Sequence, residues 1–534
     1  MQKTIALILF ALCPSLLAQA PSFSTVTASS TQTTNNTMTC NAGRDQNNHL
    51  IDGYVYCITV AGAAGTYVNT VERTPMANPG VWTNITGTGL GTAYEAAHIS
   101  AHIAVNVSPT GVVFVALYDG TSGQVASHLF TWNGSTSAPV WTEVTGGPPN
   151  SASNNYIVAT PDSLGYLYTS AAWAPGAVYK STTPGGNTFS VIIPSLYPLT
   201  SSNGGVVGGI YVLKMWNLED GRGDTLWVGG EGGLENITNI TSATMTTTSG
   251  STAFTLAAAN PLIQVNSLVQ VAGATSGGGG GLNTGTVVAS ISGTSGTLNQ
   301  NATTSATQTV YAAMNTPYLP KAQMNATNAS TAVTFPTFTS GIPSIATGTA
   351  LSITCTGCPA STTNTLAAGG LSGTLSNAFT GTTGIVYDAV INGYGGFAGN
   401  LTALVKSPTT ILALRDTYGG TPEINRINIA TKALTKGATG FPVTLNMGVF
   451  ETLKWVSGRT FYLFDASTGS TRYLYLSNDD GNSWASIAGF TGYPTTACPV
   501  NSVGASFTDG TYIWFMCGAI INRYGPMNVS GSFF

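Results

Sequence analysis

A short multi-strand unit recurs along most of this 534-residue chain, and the repetition restricts the folds open to it. Each copy reads as a turn, a strand of aromatic and β-branched residues, a Gly-rich loop, a second strand and a short W-T-x-[IV] strand. The clearest copies are GVVFVALYDG…VWTEV at 111–144, LGYLYTS…FSVI at 164–192 and GRTFYLF…WASI at 458–487. Because one such sheet cannot bury both of its faces alone, several units must pack against one another.

Radial packing of these units gives a β-propeller, and their spacing of roughly 45–60 residues suits one blade per unit. We predict an all-β fold, a roughly seven-bladed β-propeller with an inserted small β-barrel or sandwich module. The last unit lacks a convincing fourth strand, so we expect Phe23–Ser29 to supply it and close the ring. The predicted blades are 41–88, 97–147, 155–196, 206–240, 386–437, 447–490 and 500–534.

Residues 241–385 break the rhythm of the repeat. They are rich in Thr, Ser, Ala and Gly, and they contain a weak duplication, STAFTL from Ser251 and STAVTF from Ser330. Alternating apolar residues favour folded β-structure over disorder. We predict a signal peptide at 1–20, blades one to four at 21–240, one or two inserted β modules at 241–385, and blades five to seven at 386–534.

The N-terminus has the pattern of a secretory signal peptide. Lys3 supplies the positive region, Ile5–Leu12 the apolar core, and Ala18 and Ala20 a small-x-small cleavage site. No later segment reaches 18 consecutive apolar residues, so we predict no membrane span once the signal is removed. The expectation is an exported protein, secreted or periplasmic.

Six cysteines remain after removal of the signal, and an even number in an exported chain favours disulfides. Metal binding by the CTGC stretch is the alternative for its two cysteines, but no second Cys/His pair lies nearby. We therefore predict no metal. Proximity in sequence favours the pairs Cys40–Cys57, Cys355–Cys358 and Cys498–Cys517.

Charge is scarce in this chain. Only 7% of residues are charged and the net charge is −4, against about 25% charged residues in ordinary proteins. No basic stripe is present to neutralise phosphates, which argues against nucleic-acid binding. The sequence carries no cofactor motif, and we predict no cofactor.

One short stretch, SNDDGNSW, matches the pattern S-x-D-x-G-x-[ST]-W through Ser477, Asp479, Gly481 and Trp484. It resembles the Asp-box, or BNR repeat, of the sialidase and xyloglucanase-type propeller superfamily. The resemblance implies that the box joins the two outer strands of a blade, on the rim and away from the ligand face. We therefore interpret Asp479 and Trp484 as structural rather than catalytic.

The same resemblance implies that ligands meet the loops between second and third strands and between blades. Aromatic residues beside carboxylates suit sugars, because the ring stacks on the apolar sugar face while the acids bind hydroxyls. The candidate ligand-binding residues are Tyr94, Glu95, Tyr118, Trp173, Arg415, Tyr418, Glu423 and Arg472. The candidate catalytic carboxylates are Asp119, Glu231, Asp416 and Asp465.

We predict a secreted glycan-binding or surface-interaction propeller without a clear catalytic constellation. One alternative is a glycoside hydrolase resembling the xyloglucanase or sialidase groups, which needs two carboxylates across a cleft. The segment Tyr54–Tyr67, which looks like the place where xyloglucanase-type enzymes carry an early Asp, contains no acid. A further alternative is a structural propeller that presents the insert to a protein partner.

Overall fold

The computed structural model is almost entirely β-structure and forms a β-propeller, which confirms the predicted fold class. Within the residues that it describes, no helix is long and apolar enough to cross a membrane. The predicted signal peptide lies outside them. The structure describes residues 21–34, 37–44, 50–62, 66–91, 94–96, 105–107, 111–119, 127–146, 156–171, 177–194, 201–202, 206–207, 210–217, 224–230, 233–271, 280–283, 286–334, 350–354, 363–365, 372–375, 377–380, 386–392, 400–416, 423–431, 434–442, 453–464, 474–487, 506–517 and 520–527.

The N-terminal part forms three antiparallel sheets, and each sheet is a separate blade. A strand, β1 (Ser22–Val26), and a short helix (Ser30–Thr34) precede them, and a two-stranded hairpin follows. The strands are β2 (Thr37–Arg44), β3 (Leu50–Ala61), β4 (Val68–Pro75) and β5 (Thr83–Asn84); β6 (Tyr94–Ala96), β7 (Val105–Val107), β8 (Val113–Asp119), β9 (Ser127–Trp132) and β10 (Trp141–Glu143); β11 (Tyr156–Pro161), β12 (Leu167–Ala171), β13 (Val178–Ser181) and β14 (Phe189–Ile193); and the hairpin β15 (Ser201–Ser202) and β16 (Val206–Val207).

The middle of the chain forms one sheet of thirteen strands. Its first three strands correspond to the fourth predicted blade, and the others belong to the insert. The strands are β17 (Ile210–Asn217), β18 (Asp224–Gly230), β19 (Gly233–Thr247), β20 (Ala253–Leu256), β21 (Ser267–Val271), β22 (Val288–Ser292), β23 (Ser295–Leu298), β24 (Ala306–Ala326), β25 (Ala332–Thr334), β26 (Ala350–Thr354), β27 (Thr363–Thr365), β28 (Ser372–Thr374) and β29 (Val386–Asn392).

The C-terminal part forms three further blades. The last of them contains only three strands from this region, and β1 is its fourth strand, antiparallel to β40 from Ser22 opposite Gly525 to Val26 opposite Ile521. The strands are β30 (Asn400–Lys406), β31 (Thr410–Asp416), β32 (Glu423–Asn428) and β33 (Leu434–Lys436); β34 (Leu453–Ser457), β35 (Thr460–Phe464), β36 (Leu474–Ser477) and β37 (Ala485–Ser486); and β38 (Ser506–Thr508), β39 (Ile513–Cys517) and β40 (Ile520–Gly525).

Six sheets therefore stand as separate blades, where the sequence predicts roughly seven. The difference lies in β17–β19, because β19 runs on into the insert and joins these strands to the thirteen-stranded sheet. These strands still pack between their neighbours in the ring, Leu213 and Leu226 against β12–β14 and Trp216 and Trp227 against β30–β32. Strand β29, which the sequence pattern assigns to the fifth blade, pairs with β24 and β26 of the insert instead.

The insert begins with a small closed barrel, here named the first module, made of β20–β23 with the adjoining ends of β19 and β24. The pairing order is β24–β19–β20–β23–β22, while β21 pairs with β24 and a bridge between Leu268 and Val287 links β21 to the start of β22. Its core is apolar and includes Met245, Phe254 and Val310. The barrel part of the predicted fold is therefore present.

The second module consists of β25–β29 and the last turn of β24, and it repeats the local structure of the first. The sequence SGTL occurs at 295–298 and again at 372–375. In the first copy Thr297 lies opposite Ala253, and in the second Thr374 lies opposite Ala332. The weak duplication seen in the sequence thus corresponds to the same hairpin register in both modules.

Within the described residues, main-chain hydrogen bonds join neighbouring blades at three equivalent places. A Thr that follows the outermost strand of one blade accepts a hydrogen bond from the N–H of a buried aromatic residue that opens, or comes just before, the outermost strand of the next. The pairs of this Thr–aromatic clasp are Trp141 with Thr88 at 2.8 Å, Phe189 with Thr145 at 2.8 Å, and Trp484 with Thr439 at 2.9 Å. The Thr N–H donates in return to the residue two before the aromatic, at 3.1, 2.6 and 3.0 Å respectively.

The segment between β1 and β2 is fastened to the first of the blades by two side chains. The indole Nε1 of Trp82 donates to the carbonyl oxygen of Thr27 at 2.8 Å, and the hydroxyl of Ser29 donates to Glu72 Oε2 at 2.5 Å. Glu72 is only 5% exposed. Burial raises the pKa of this carboxyl above its ordinary value, and the hydrogen bond from Ser29 only partly offsets the effect.

The clasp predicts unequal effects for two glycines with nearly the same backbone angle. Gly440 follows Thr439 with φ 69°, and a Cβ there would overlap the carbonyl oxygen of Trp484, whereas Gly437 has φ 67° and open space. Both Gly→Ala substitutions carry left-handed strain of about 1–2 kcal/mol, and only Gly440→Ala adds about 1–3 kcal/mol of overpacking. Urea denaturation should give the lower midpoint for Gly440→Ala, and equal midpoints would contradict the clasp.

The buried Glu72 carboxyl predicts a pH effect on stability. Because its pKa in the folded state is raised, ionisation opposes folding, and stability falls as pH rises through the range above the ordinary value of 4.5. The Glu72→Gln variant can still accept the bond from Ser29 but cannot ionise. It should unfold at a higher temperature than the wild type at pH 7 and lose that advantage below pH 4.5. A lower melting temperature at pH 7 would refute this.

Candidate functional site

Several candidate residues from the sequence lie at one end of the blades, where second strands turn towards third strands. Tyr118 and Asp119 end β8, Arg415 and Asp416 end β31, and Glu423 begins β32. Successive turns of a meander alternate between its two ends, so these positions share one end of their sheets. We name it the candidate end, and the opposite end, which carries the first and third turns of each blade, the box end.

The strand register sets some of these positions directly opposite one another. Arg415 lies opposite Glu423, and Asn400, the first residue of β30, lies opposite Asp416. In the second blade the two further candidates fall on β6, Tyr94 opposite Asp119 and Glu95 opposite Tyr118. Residues directly opposite on antiparallel strands are neighbours on one face of the sheet. The register therefore sets aromatic positions opposite acidic ones in the second blade, and Arg415 opposite Glu423 in the blade of β30–β33.

The other candidate residues lie outside the described residues, so their predicted position at this end is not tested. They are Trp173, Glu231, Tyr418, Asp465 and Arg472.

The cysteines give one confirmed disulfide. Cys40 and Cys57 lie opposite each other on β2 and β3 and are bonded. Of the other predicted cysteines, only Cys517 falls on a described strand, and its side chain is outside the described part, as are Cys355, Cys358 and Cys498. In the described part of the chain, no group of three or more His, Cys, Asp or Glu side chains is placed to hold a metal ion.

The box end is built on hydrogen-bonded Asp side chains, and the SNDDGNSW turn is the most complete example. Asp479 Oδ1 accepts bonds from the hydroxyl of Ser477 at 2.9 Å and the N–H of Ser483 at 2.8 Å, and Oδ2 accepts from the Ser483 hydroxyl at 2.6 Å. Gly481 has φ 78°, and the buried Trp484 donates from Nε1 to its carbonyl oxygen at 3.1 Å. Both carboxylate oxygens of Asp479 thus accept hydrogen bonds from within the turn itself.

The neighbouring Asp480 connects this turn to two others. Its Oδ2 accepts a hydrogen bond from Arg459 Nε at 2.6 Å, in the first turn of the same blade. Its Oδ1 accepts from the hydroxyl of Thr409 at 3.1 Å, in the first turn of the preceding blade. Arg426 of that blade also donates to Asn482. Both acids of the box therefore already serve as acceptors within the protein.

A second arrangement, of an Asp, two aromatic residues and a cation, recurs at the box end and was not predicted from the sequence. In three blades of the described part, an Asp in the first turn or just after it accepts hydrogen bonds from a nearby main-chain N–H and from an aromatic O–H or N–H on the second strand. A cation on the third strand of each lies 4.0–4.1 Å from the centre of a Tyr ring. The sets are Asp52, Tyr54, Tyr56 and Arg73; Asp162, Tyr166, Tyr168 and Lys180; and Asp509, Tyr512, Trp514 and Arg523.

The sequence signal for this arrangement is an Asp followed, after one to three residues, by Tyr-x-Tyr or Tyr-x-Trp, as in DGYVY, DSLGYLY and DGTYIW. Burial, followed by the adjacent carboxylate, raises the pKa of Tyr56 and of Tyr168 well above the ordinary phenol value. Both phenols therefore stay protonated at any ordinary pH and serve as donors to Asp52 and Asp162. This arrangement holds turns and does not generate a nucleophile.

The SNDDGNSW turn predicts a loss of stability in acid. Partial burial acts to raise the pKa of Asp479, but the bonds from Ser483 and Ser477 outweigh it and hold the pKa below its ordinary 3.8. The carboxylate therefore stabilises the fold above that value, and the effect disappears as pH falls through the lower, folded-state pKa. At pH 7 the Asp479→Asn variant should have a lower urea midpoint than the wild type. At pH 2 the midpoints of the variant and the wild type should be nearly equal. An equal deficit at both pH values would contradict this role.

Comparisons with known proteins add no family. No family model matches the chain, and no curated protein matches it, so the Asp-box resemblance rests on Ser477–Trp484 alone.

Similar solved structures include Sqt1 of Chaetomium thermophilum bound to the N-terminus of a ribosomal protein, with 10% identity over 92% of this chain and 97% of that one and a TM-score of 0.33. The phage phi92 endosialidase is 11% identical over 82% of this chain and 69% of that one, with a TM-score of 0.27. A Bombyx mori GH32 β-fructofuranosidase in complex with sucrose is 10% identical over 94% of this chain and 90% of that one, with a TM-score of 0.24. At these identities and TM-scores they carry no argument about substrate or partner.

Proposed function

We propose that this chain is a secreted glycan-binding or surface-interaction β-propeller that binds its ligand at the candidate end of the blades. The observation that carries the proposal is the register there, in which Tyr94 is set opposite Asp119 and Arg415 opposite Glu423. A planar aromatic ring offers a stacking surface to the apolar face of a sugar, and carboxylates and guanidinium groups bond its hydroxyls. Such positions lie on two separate blades, which suits an extended ligand.

The hydrogen bonds at the box end argue against ligand binding there, which also favours the candidate end. Its acids are committed to the protein, since Asp479 holds its own turn and Asp480 bonds Arg459 and Thr409. Asp52, likewise, is held by the N–H of Tyr54 and the hydroxyl of Tyr56. A ligand at that end would have to displace these bonds, each of which is worth about 1 kcal/mol or more. This cost counts against ligand binding at the box end.

The test is a glycan panel with the mature chain 21–534, scored both for retention of the protein and for release of reducing ends. We expect retention without release. Arg415→Ala should weaken retention at least about tenfold, in line with loss of a charged hydrogen bond of 1.5–3 kcal/mol. Arg459→Ala is the matched control, because this exposed arginine sits at the box end of the next blade.

Two outcomes would overturn the proposal. If the folded wild type is retained by no glycan, the candidate end does not bind sugars. If reducing ends are released, the protein is a glycoside hydrolase, and Asp119, Glu231, Asp416 and Asp465 become the carboxylates to replace by their amides. Equal loss of retention in Arg415→Ala and Arg459→Ala would also count against binding at the candidate end.

A further inference from the structure

One strand connects the two inserted modules through the propeller. The 21 residues of β24 pair with three successive parts of the fold. Ala306–Ala312 pair with Thr247–Thr241 of β19, and Val310–Met314 pair with β21, in the first module. Asn315–Pro320 pair with Ile237–Gly233 of the fourth unit, and Lys321–Asn325 pair with β29 of the second module. The two modules therefore leave the propeller at opposite ends of the same unit.

The register also tells which module lies at which end. Strands β18 and β19 meet at the candidate end, where Gly230 lies opposite Gly233. Pro320 lies opposite Gly233, so β24 passes this level at Lys321 and continues beyond it into the second module. The first module, in contrast, extends from the other ends of β19 and β24, on the side of the box end.

The second module also adjoins the next blade at the same end. Its last strand, β29, ends at Asn392, and the following strand, β30, begins at Asn400 directly opposite Asp416. The module is thus rooted between the fourth unit and the blade that carries Arg415, Asp416 and Glu423. Candidate residues and the second module share one end of the ring.

The charge of this module limits the chemistry of its partner. Between Glu235 and Asp388 the sequence contains one charged residue, Lys321, and no histidine. Apart from Lys321 and Asp388, on the two strands that join the module to the propeller, the sequence of the second module offers no side chain to pair with a charged ligand or to steer one. Its polar groups are hydroxyls, amides and main-chain groups, which exchange hydrogen bonds with neutral hydroxylated molecules.

From this placement we propose that the second module forms a second contact surface for the ligand bound at the candidate end, and that the ligand is an extended, uncharged glycan. The proposal rests on the proposed function and narrows it to a substrate class and to a further surface. A long chain then contacts the propeller and the module together, whereas a short oligosaccharide contacts only one of them. Two linked contacts strengthen binding of the long chain alone.

The register allows each module to be removed cleanly. Thr238 lies opposite Met314, so an Asn-Gly turn in place of 239–313 deletes the first module. Asn325 lies opposite Val386, so the same turn in place of 326–385 removes β25–β28 of the second module and leaves the hairpin of β24 and β29. Two-residue Asn-Gly turns suit such hairpins. The first deletion is the matched control, since it removes a module of the same local architecture from the opposite end.

The assay is affinity electrophoresis of the wild type and both deletions in gels containing glucomannan, galactomannan, xyloglucan or mixed-linkage β-glucan, with alginate and polygalacturonate as charged comparisons. We expect the wild type to be retarded by at least one neutral polysaccharide. Deletion of the second module should raise its dissociation constant at least about tenfold. Deletion of the first module should change it by less than about twofold.

The outcomes distinguish the proposed second contact surface from the proposed glycan binding by the propeller. Equal binding after deletion of the second module, or equal loss in both deletions, overturns the second contact surface but leaves glycan binding at the propeller standing. Retardation by the polyuronates alone overturns the uncharged ligand in the same way. No retardation by any polysaccharide overturns both.

A second measurement keeps the proposal testable if the deletion of 326–385 does not fold. Hydroxyl-radical footprinting of the full mature chain, with and without the retarding polysaccharide, compares matched hairpins in the two modules. Protection of β25 and β28 without protection of β20 and β23 supports the proposal. Protection of neither pair, or of both equally, overturns it.

Discussion

The fold depends on joining sheets side by side with few charged side chains. A ring of separate blades needs contacts between neighbours, and this chain has only 16 basic and 20 acidic residues with which to make ion pairs. The Thr–aromatic clasp meets the need with main-chain groups, since a threonine carbonyl of one blade accepts the N–H of Trp141, Phe189 or Trp484 in the next. The aromatic side chain is buried beneath the same contact, so one residue provides both a hydrogen bond and apolar packing.

The few charges that the chain has are placed at repeated positions. Four of the 16 basic residues lie on third strands, directly opposite the second strand of the same blade: Arg73, Lys180, Arg426 and Arg523. In three of these blades the cation lies over a Tyr ring whose main-chain N–H donates to an Asp. In the fourth, Arg426 donates to Asn482 in the SNDDGNSW turn of the next blade. These four cations of the described residues therefore help to order turns at the box end.

The sequence was sufficient for the architecture because periodicity of two and turn residues repeat with each blade. It also located the Cys40–Cys57 disulfide and the SNDDGNSW turn, whose residues lie close together in the chain. It could not give the number of separate blades or the course of β19 and β24, because nothing in their Thr- and Ala-rich sequences marks where a blade strand becomes a module strand. Strand β29 was assigned to a blade for the same reason, since VYDAVIN has the pattern of either. The pairing of Tyr94 with Asp119 depends on register, which single-sequence patterns do not specify.

The continuity of β24 has a mechanical consequence. Its hydrogen bonds to β19 run perpendicular to the strand direction along nearly the whole of β19, from Gly233 opposite Pro320 to Thr247 opposite Ala306. A pull on one module along the strand axis loads these bonds together in shear, whereas a pull at right angles would peel them apart one after another. Tension between objects held at the two faces of the ring would thus pass through a single blade position, and the other blades would carry little of it.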